Sequence, residues 1–254
     1  MILAVDVGNS NITLGGFLNG ELAFSARIST DSGATADDYA ARIVSTLELY
    51  RVGRDAFSGS IIGSVAPQLN SVIRHALRCA VGVNPILVGP GIKTGVSIQC
   101  DSPSTVGADL IAACVAAHFH YGSPALIVDM DTVTKLTATS ASGAFVGASI
   151  APGVMMGLTA LSSETAQLPR ISPEQPGTII AKNTADCMRS GVLFGNACLV
   201  DGMIERIKRE MNSEPHVIVT GAYAPMVLPL CESKMTYDEH LILKGLYLIY
   251  KKNV

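Results

Sequence analysis

The sequence predicts an α/β chain built from two similar lobes, and three observations carry that prediction. A short apolar run ending in an acid and a tight turn occurs twice, at 2–11 and at 125–134, about 120 residues apart. Each copy continues into two further strand-like segments separated by turns. Segments with apolar residues at helical spacing fill the intervals, which is the alternation of an α/β chain with mixed sheets flanked by helices.

In the first copy, Ile2-Leu-Ala-Val-Asp6-Val7 is a strand and Gly8-Asn9-Ser10-Asn11 turns the chain into a second apolar run, Ile12 to Leu18. Asn19-Gly20 is a hairpin turn of the kind that needs positive φ. Leu22, Phe24, Ala26 and Ile28 then alternate onto one face of a third strand. In the second copy, Ala125-Leu-Ile-Val-Asp129-Met130 is a strand, and Asp131-Thr132-Val133-Thr134 is its turn. Strands from about Lys135 to Thr139 and from Ala144 to Ile150 flank a turn at Ser142-Gly143.

Thr35-Ala-Asp-Asp38 has the pattern of a capping box ahead of a helix bearing Tyr39, Ile43, Val44 and Leu47. A second helix follows Pro67 with Leu69, Val72, Ile73, Ala76 and Leu77, and a third covers about 107–120. Residues 183–211 read as one long helix or two joined ones, with Gly191 and Gly195 as weak points. Thr236-Tyr-Asp-Glu239 has the pattern of a cap on a last helix. Strands at 58–65, 85–88 and 215–220 complete the set, and Pro169 to Thr184 reads as a loop. A boundary at Tyr121-Gly122 divides the chain into lobes 1–120 and 121–254.

Composition narrows the function classes. The chain has 254 residues, 48% hydrophobic and only 15% charged, with net charge −3; its pI is near 5.9 and its mean hydropathy +0.38. That balance gives no electrostatic reason to expect nucleic acid or a membrane surface as partner, and the low charge favours a homo-oligomer. The acid at position 6 and the lack of a basic leader make the N-terminus a strand, not a signal peptide. The uncharged stretch from Leu136 to Ser163 is broken by Ser, Thr, Gly and Pro152, against a membrane span. Six scattered cysteines, without a Cys-x-x-Cys pair, read as reduced thiols of a cytoplasmic protein.

The chemistry is concentrated in the turns. After a strand, a glycine lets backbone amides approach phosphate oxygens, and an acid just before it can orient a cation on the phosphates. Asp6-Val-Gly8-Asn9-Ser10-Asn11 has this form, Asp129-Met-Asp131-Thr132 is its counterpart, and Thr220-Gly221-Ala222 is a third turn placed to meet an adenosine. A turn acid capping local amides explains an isolated Asp6, but its repetition at Asp129 favours a nucleotide held by both lobes. A dinucleotide fingerprint fits poorly, since there is no Gly-x-Gly-x-x-Gly and the turn leads into a strand.

Along its whole length the chain resembles type III pantothenate kinases. The resemblance is carried by Asp6-Val-Gly-Asn-Ser-Asn11, Gly89-Pro-Gly-Ile-Lys-Thr-Gly95, Gly107-Ala-Asp109, Ile150-Ala-Pro-Gly153, Thr165-Ala-x-Leu-Pro169, Asn183-Thr184 with Gly191, and Thr220-Gly221. It implies a duplicated two-lobe actin-like (ribonuclease H-like) fold, a homodimer, and ATP-dependent phosphorylation of pantothenate, the first step of coenzyme A biosynthesis. Asp109 matches the general base; on the residues alone it reads more simply as a helix-dipole partner. Gly107, Ala108, Leu110 and Cys100 fall at substrate-lining positions. Thr184 matches a residue that reaches the substrate from a neighbouring subunit, with a helix N-cap as the plainer alternative. Asp6 matches the acid at the Mg²⁺ and phosphate end, Thr132 a phosphate contact, and Asp129 the ligand of a monovalent cation, K⁺ or NH₄⁺.

The chain departs from that pattern at Asp131 and Ala222, where the family has glycine, and at Leu110, where it has arginine. It also departs at Cys100, in place of an aromatic, and at Lys135, in place of a small polar residue. Lys135 either offsets the Asp131 charge or is carried outward by its strand. Altered pocket residues fit a kinase of another small hydroxyl compound, and an altered phosphate turn fits a non-catalytic relative with a regulatory or ligand-binding role. These stand as alternatives.

Overall fold

A computed structural model describes residues 1–254, which form two compact units. The first comprises Met1–Ser97, Asp101–Ala116 and His240–Val254; the second comprises Ile98–Cys100 and Ala117–Glu239. The division at 120/121 is therefore corrected at the end of the chain, where residues 240–254 return to the first unit. Packing explains the return, as described below.

The first unit is built on five strands: β1 (Ile2–Val7), β2 (Asn11–Leu18), β3 (Glu21–Ser29), β4 (Gly59–Ser64) and β5 (Pro85–Leu87), with helices α1 (Ala36–Leu49) after β3 and α2 (Asn70–Val81) after β4. Their order in the sheet is β3-β2-β1-β4-β5. The β1–β2 and β2–β3 ladders are antiparallel, and β1–β4 and β4–β5 are parallel. Asn19 and Gly20 turn the β2–β3 hairpin with φ of 54° and 97°, as the sequence predicts. Thr35 closes the capping box of α1 with Asp38.

Leu3, Val5 and Val7 alternate onto one face of β1 and join Tyr39, Ile43 and Leu47 of α1 with Ile73, Ala76 and Leu77 of α2 in one core. The helix α3 (Ala108–Tyr121) begins in this unit. The second unit then repeats the strand plan with β6 (Ala125–Met130), β7 (Val133–Thr139) and β8 (Phe145–Pro152), followed by α4 (Val154–Ser163), α5 (Thr184–Met211), β9 (His216–Thr220), α6 (Ala224–Val227) and β10 (Thr236–Tyr237). Its order, β10-β9-β6-β7-β8, reproduces that of the first sheet, with β6 in the place of β1. The β6–β7 and β7–β8 ladders are antiparallel, and β6–β9 and β9–β10 are parallel. Leu126, Val128 and Met130 face a core shared with Leu158 of α4 and with Leu193, Val200 and Ile204 of α5.

The last helix, α7 (Leu241–Lys251), lies on the first sheet along glycines. A Cβ on Gly15 or Gly63 would come within 2.8 Å of Leu243 or Leu246, and one on Gly59 would overlap Tyr250. Phe17 stacks on Tyr247 with ring centroids 4.5 Å apart. Leu241, Leu243, Leu246 and Ile249 are buried, each contributing about 1.5–3 kcal/mol of transfer free energy.

Of the two readings of 183–211 the single long helix is the one formed: α5 is continuous from Thr184 to Met211 through Gly191 and Gly195. Two further expectations change. A helix, α4, occupies 154–163. Thr236 and Tyr237 belong to a strand, and His240 precedes α7 at the N-cap position without capping it through its side chain. Asp238 is buried and accepts a hydrogen bond from the Tyr121 hydroxyl at 2.9 Å. No helix is long and apolar enough to cross a membrane.

Candidate active site

Asp6 lies at the C-terminal end of the central strand β1, on the face opposite the Leu3–Val5–Val7 core, beside Gly63 of β4 and Thr13 of β2. The turn that follows is fixed by three hydrogen bonds. The Gly8 amide donates to the Asn11 carbonyl at 2.9 Å and the Thr30 amide to the Ser10 carbonyl at 3.0 Å, while the Thr30 hydroxyl donates to the Gly8 carbonyl at 2.8 Å. Gly8 is required by closeness and not by positive φ: a Cβ would stand 2.9 Å from the Asn11 oxygen. Asn9 and Ser10 are exposed at the tip, and Asn11 starts β2. Thr30 is a positioning residue that sequence reasoning missed. Its only signal is its place one step beyond Ser29, the cross-strand partner of Asn11.

Asp109 stands in the first turn of α3 and is buried. Its carboxylate folds back over Gly107, so any side chain on Gly107 would overlap it; the Gly107 carbonyl accepts from the Ile111 amide at 3.2 Å. Ala108 is buried and Leu110 half-buried. The first unit thus holds Asp6, its turn, and the Gly107–Leu110 helix start. Cys100 belongs to the second unit, where the neighbouring Gln99 amide donates to the Phe145 carbonyl at 2.8 Å.

In the second unit the turn after β6 is clamped from two sides. A Cβ on Gly153 would lie 2.6 Å from the carbonyl oxygens of Asp131 and Thr132, and one on Gly221, at φ 102°, would overlap the Met130 backbone. The Tyr223 amide donates to the Met130 carbonyl at 2.9 Å and the Asp131 amide to the Val133 carbonyl at 3.2 Å. The glycines of the Ile150-Ala-Pro-Gly153 and Thr220-Gly221 motifs therefore share one job, which is to let two backbone segments close on residues 130–132. Asp131 and Thr132 are half-buried, and Asp131 is not in the left-handed region, so the turn places no glycine-like demand on its φ. Gly153 also precedes α4 without a side-chain cap, leaving that helix start beside the turn.

Asp129 is buried, and its Oδ2 lies 2.7 Å from Nζ of Lys135, its direct cross-strand partner. Only 13% of the Lys135 side chain is exposed, so the strand carries it inward and not into solvent. The monovalent cation expected at Asp129 does not fit this donor set, because an ammonium of the chain already lies against the carboxylate. Asp6 does fit a hard divalent cation. It is a half-buried carboxylate at a strand end, next to a turn whose close approach a Cβ at Gly8 would fill. Thr184 is exposed as the first residue of α5, and the N-cap is Asn183, whose side chain accepts from the Asp186 amide at 3.0 Å.

Two five-stranded sheets of identical order, each with an acid at the end of its central strand, define an actin-like fold. The activator of 2-hydroxyisocaproyl-CoA dehydratase from Clostridium difficile, solved with bound ADPNP, shares it. That structure matches with a TM-score of 0.57 at 11% identity, over 100% of this chain and 97% of the other. The family model described as type III pantothenate kinase matches residues 2–206. A type III pantothenate kinase from Geotalea uraniireducens is 39% identical over 100% of this chain and 99% of its own length. Another, from Halalkalibacterium halodurans, is 39% identical over the whole of both chains. This chain belongs to the type III pantothenate kinase family.

Proposed function

We propose that the protein transfers the γ-phosphoryl group of ATP to the 4′-hydroxyl of pantothenate, giving 4′-phosphopantothenate and ADP. The observation that carries this reading is the buried Asp109 carboxylate at the start of α3, held over a glycine that leaves it room. Membership of the family supports the substrate.

In this mechanism the Gly8–Asn11 turn of the first unit offers amides and hydroxyls to the phosphates, and the Asp131–Thr132 turn, backed by Gly221, is its counterpart in the second unit. Asp6 would hold Mg²⁺, which supplies neutralisation of charge on the phosphate oxygens. Asp109 accepts the proton of the pantothenate hydroxyl as its oxygen bonds to Pγ. The bond from Pγ to the bridging oxygen breaks, and ADP leaves with that electron pair. Leu110 in the first unit lacks the charge, and Cys100 in the second lacks the ring, that the family pattern places there.

A homodimer completes the reading. Ile179 and Ile180 are exposed by 63% and 82%, and they line an apolar groove with Phe194, Gly191 and Gly195 of α5. In such a dimer Thr184 takes the role the family pattern implies, reaching the substrate of the neighbouring subunit. Six free thiols support a cytoplasmic location.

A coupled ADP-release assay with ATP, Mg²⁺ and pantothenate, beside a panel of other small hydroxyl compounds, tests the function. ADP formed with another compound and not with pantothenate overturns the substrate.

A further inference from the structure

A carboxylate taken out of water needs a positive partner, and the identity of that partner decides which ions a site requires. Asp129 sits on the face of β6 opposite the Leu126–Val128–Met130 core, between Thr220 of β9 and Lys135 of β7. Its side chain is 7% exposed and that of Lys135 is 13% exposed, with 2.7 Å between carboxylate and ammonium. The antiparallel register fixes the pair, since residues 129 and 135 are directly opposed. A lysine ammonium presents N–H donors like those of a free ammonium ion, and its strand already holds it against the carboxylate, so it need not bind from solution.

We propose that the Lys135 ammonium occupies the place of a dissolved monovalent cation at Asp129, so that nucleotide binding and phosphoryl transfer need no added potassium or ammonium. The proposal deepens the kinase reading and rests on it for the rate. It also has consequences for ATP binding and for stability that do not depend on the substrate. Replacing Lys135 by a small polar residue leaves the buried carboxylate without its charge partner, and an external cation then has a vacancy to fill.

The test compares the intact wild type, Lys135→Ser, and the double variant Asp129→Asn/Lys135→Ser. Each is measured in tetramethylammonium chloride and in potassium or ammonium chloride at equal ionic strength. Three readouts are taken: the ADP-release rate with pantothenate, the Kd for a non-hydrolysable ATP analogue by calorimetry, and the Tm. In the wild type, potassium should change rate and Kd by less than about twofold. In Lys135→Ser, Kd and Tm should worsen in tetramethylammonium and recover with potassium, Kd by about tenfold or more, and the double variant should not respond.

Potassium stimulation of the wild type by about tenfold overturns the proposal, as does a Lys135→Ser variant indifferent to potassium. Folding of Lys135→Ser only when potassium is present supports it. If Lys135→Ser folds in neither salt, the wild-type titration decides alone. If pantothenate yields no ADP while the binding and melting pattern holds, the substrate reading fails and the role of Lys135 stands.

Discussion

Gly153 and Asp131 meet backbone to backbone: a Cβ on the glycine would stand 2.6 Å from the Asp131 carbonyl oxygen. Gly153→Ala must therefore push the Asp131–Thr132 turn away from the start of α4. Overpacking of this kind costs about 1–3 kcal/mol. The expected outcome is a lower denaturant midpoint together with weaker binding of an ATP analogue. Unchanged binding would show that the turn tolerates displacement.

Asp109→Asn keeps the size of a buried side chain while removing its basicity. The rate should fall by about 10²–10⁴-fold, with analogue binding retained. Steady-state kinetics beside calorimetry separates the two effects, and a loss below about tenfold would place the base elsewhere.

With ATP bound as proposed, the charge of Asp131 and not its backbone conformation would oppose the phosphates. Two unit charges 4 Å apart repel by about 4 kcal/mol at an effective dielectric of 20. Solvent around a half-buried carboxylate screens part of that. Asp131→Gly should tighten ATP binding by about ten- to a hundredfold at matched Mg²⁺. Equal or weaker binding by calorimetry would show that the carboxylate does not oppose the phosphates.

Burial first, then the hydrogen bond to Asp238 and its charge, push the Tyr121 phenol up to about 12. The native state therefore holds this proton more tightly than the unfolded chain, whose tyrosines titrate near 10. The resulting stabilisation is complete below about pH 10 and declines between about 10 and 12, where the unfolded chain has released the proton first. Tyr121→Phe should flatten that part of the stability–pH curve. At neutral pH it should also lower stability by about 1–3 kcal/mol, because the buried Asp238 carboxylate loses a hydrogen-bond donor. Denaturant melts across the alkaline range check both.

Light scattering should give the mass of a dimer at micromolar concentration. Introducing a charge into the apolar groove, as in Ile180→Glu, should shift the population toward monomer while leaving the secondary structure intact. A monomeric wild type would remove the support for Thr184 at a substrate site.

The strand framework was legible because each of its signals is local. An apolar run, an acid and a turn repeat at 2–11 and 125–134, and the sheets repeat with them. Helix α4 was hidden because its stretch, Val154 to Ser163, has no charged face and follows Pro152-Gly153. Thr236-Tyr-Asp-Glu239 imitates a helix start, whereas Asp238 turns inward to Tyr121. Lys135 was the least legible. A lysine in a strand ordinarily marks solvent, and only the register that sets it opposite Asp129 shows that it points inward.

The return of α7 to the first sheet also sets an order of assembly. Leu243, Leu246 and Tyr250 cover Gly15, Gly63 and Gly59, yet they are synthesised after all of β6 to β10. During translation the second unit can close on itself while the glycine face of the first still waits, open to water, for the helix that seals it. Loss of the residues after Glu239 would leave that face permanently bare. The first unit, which carries Asp6 and Asp109, would be the one to fail, although the cut lies far from both in the chain.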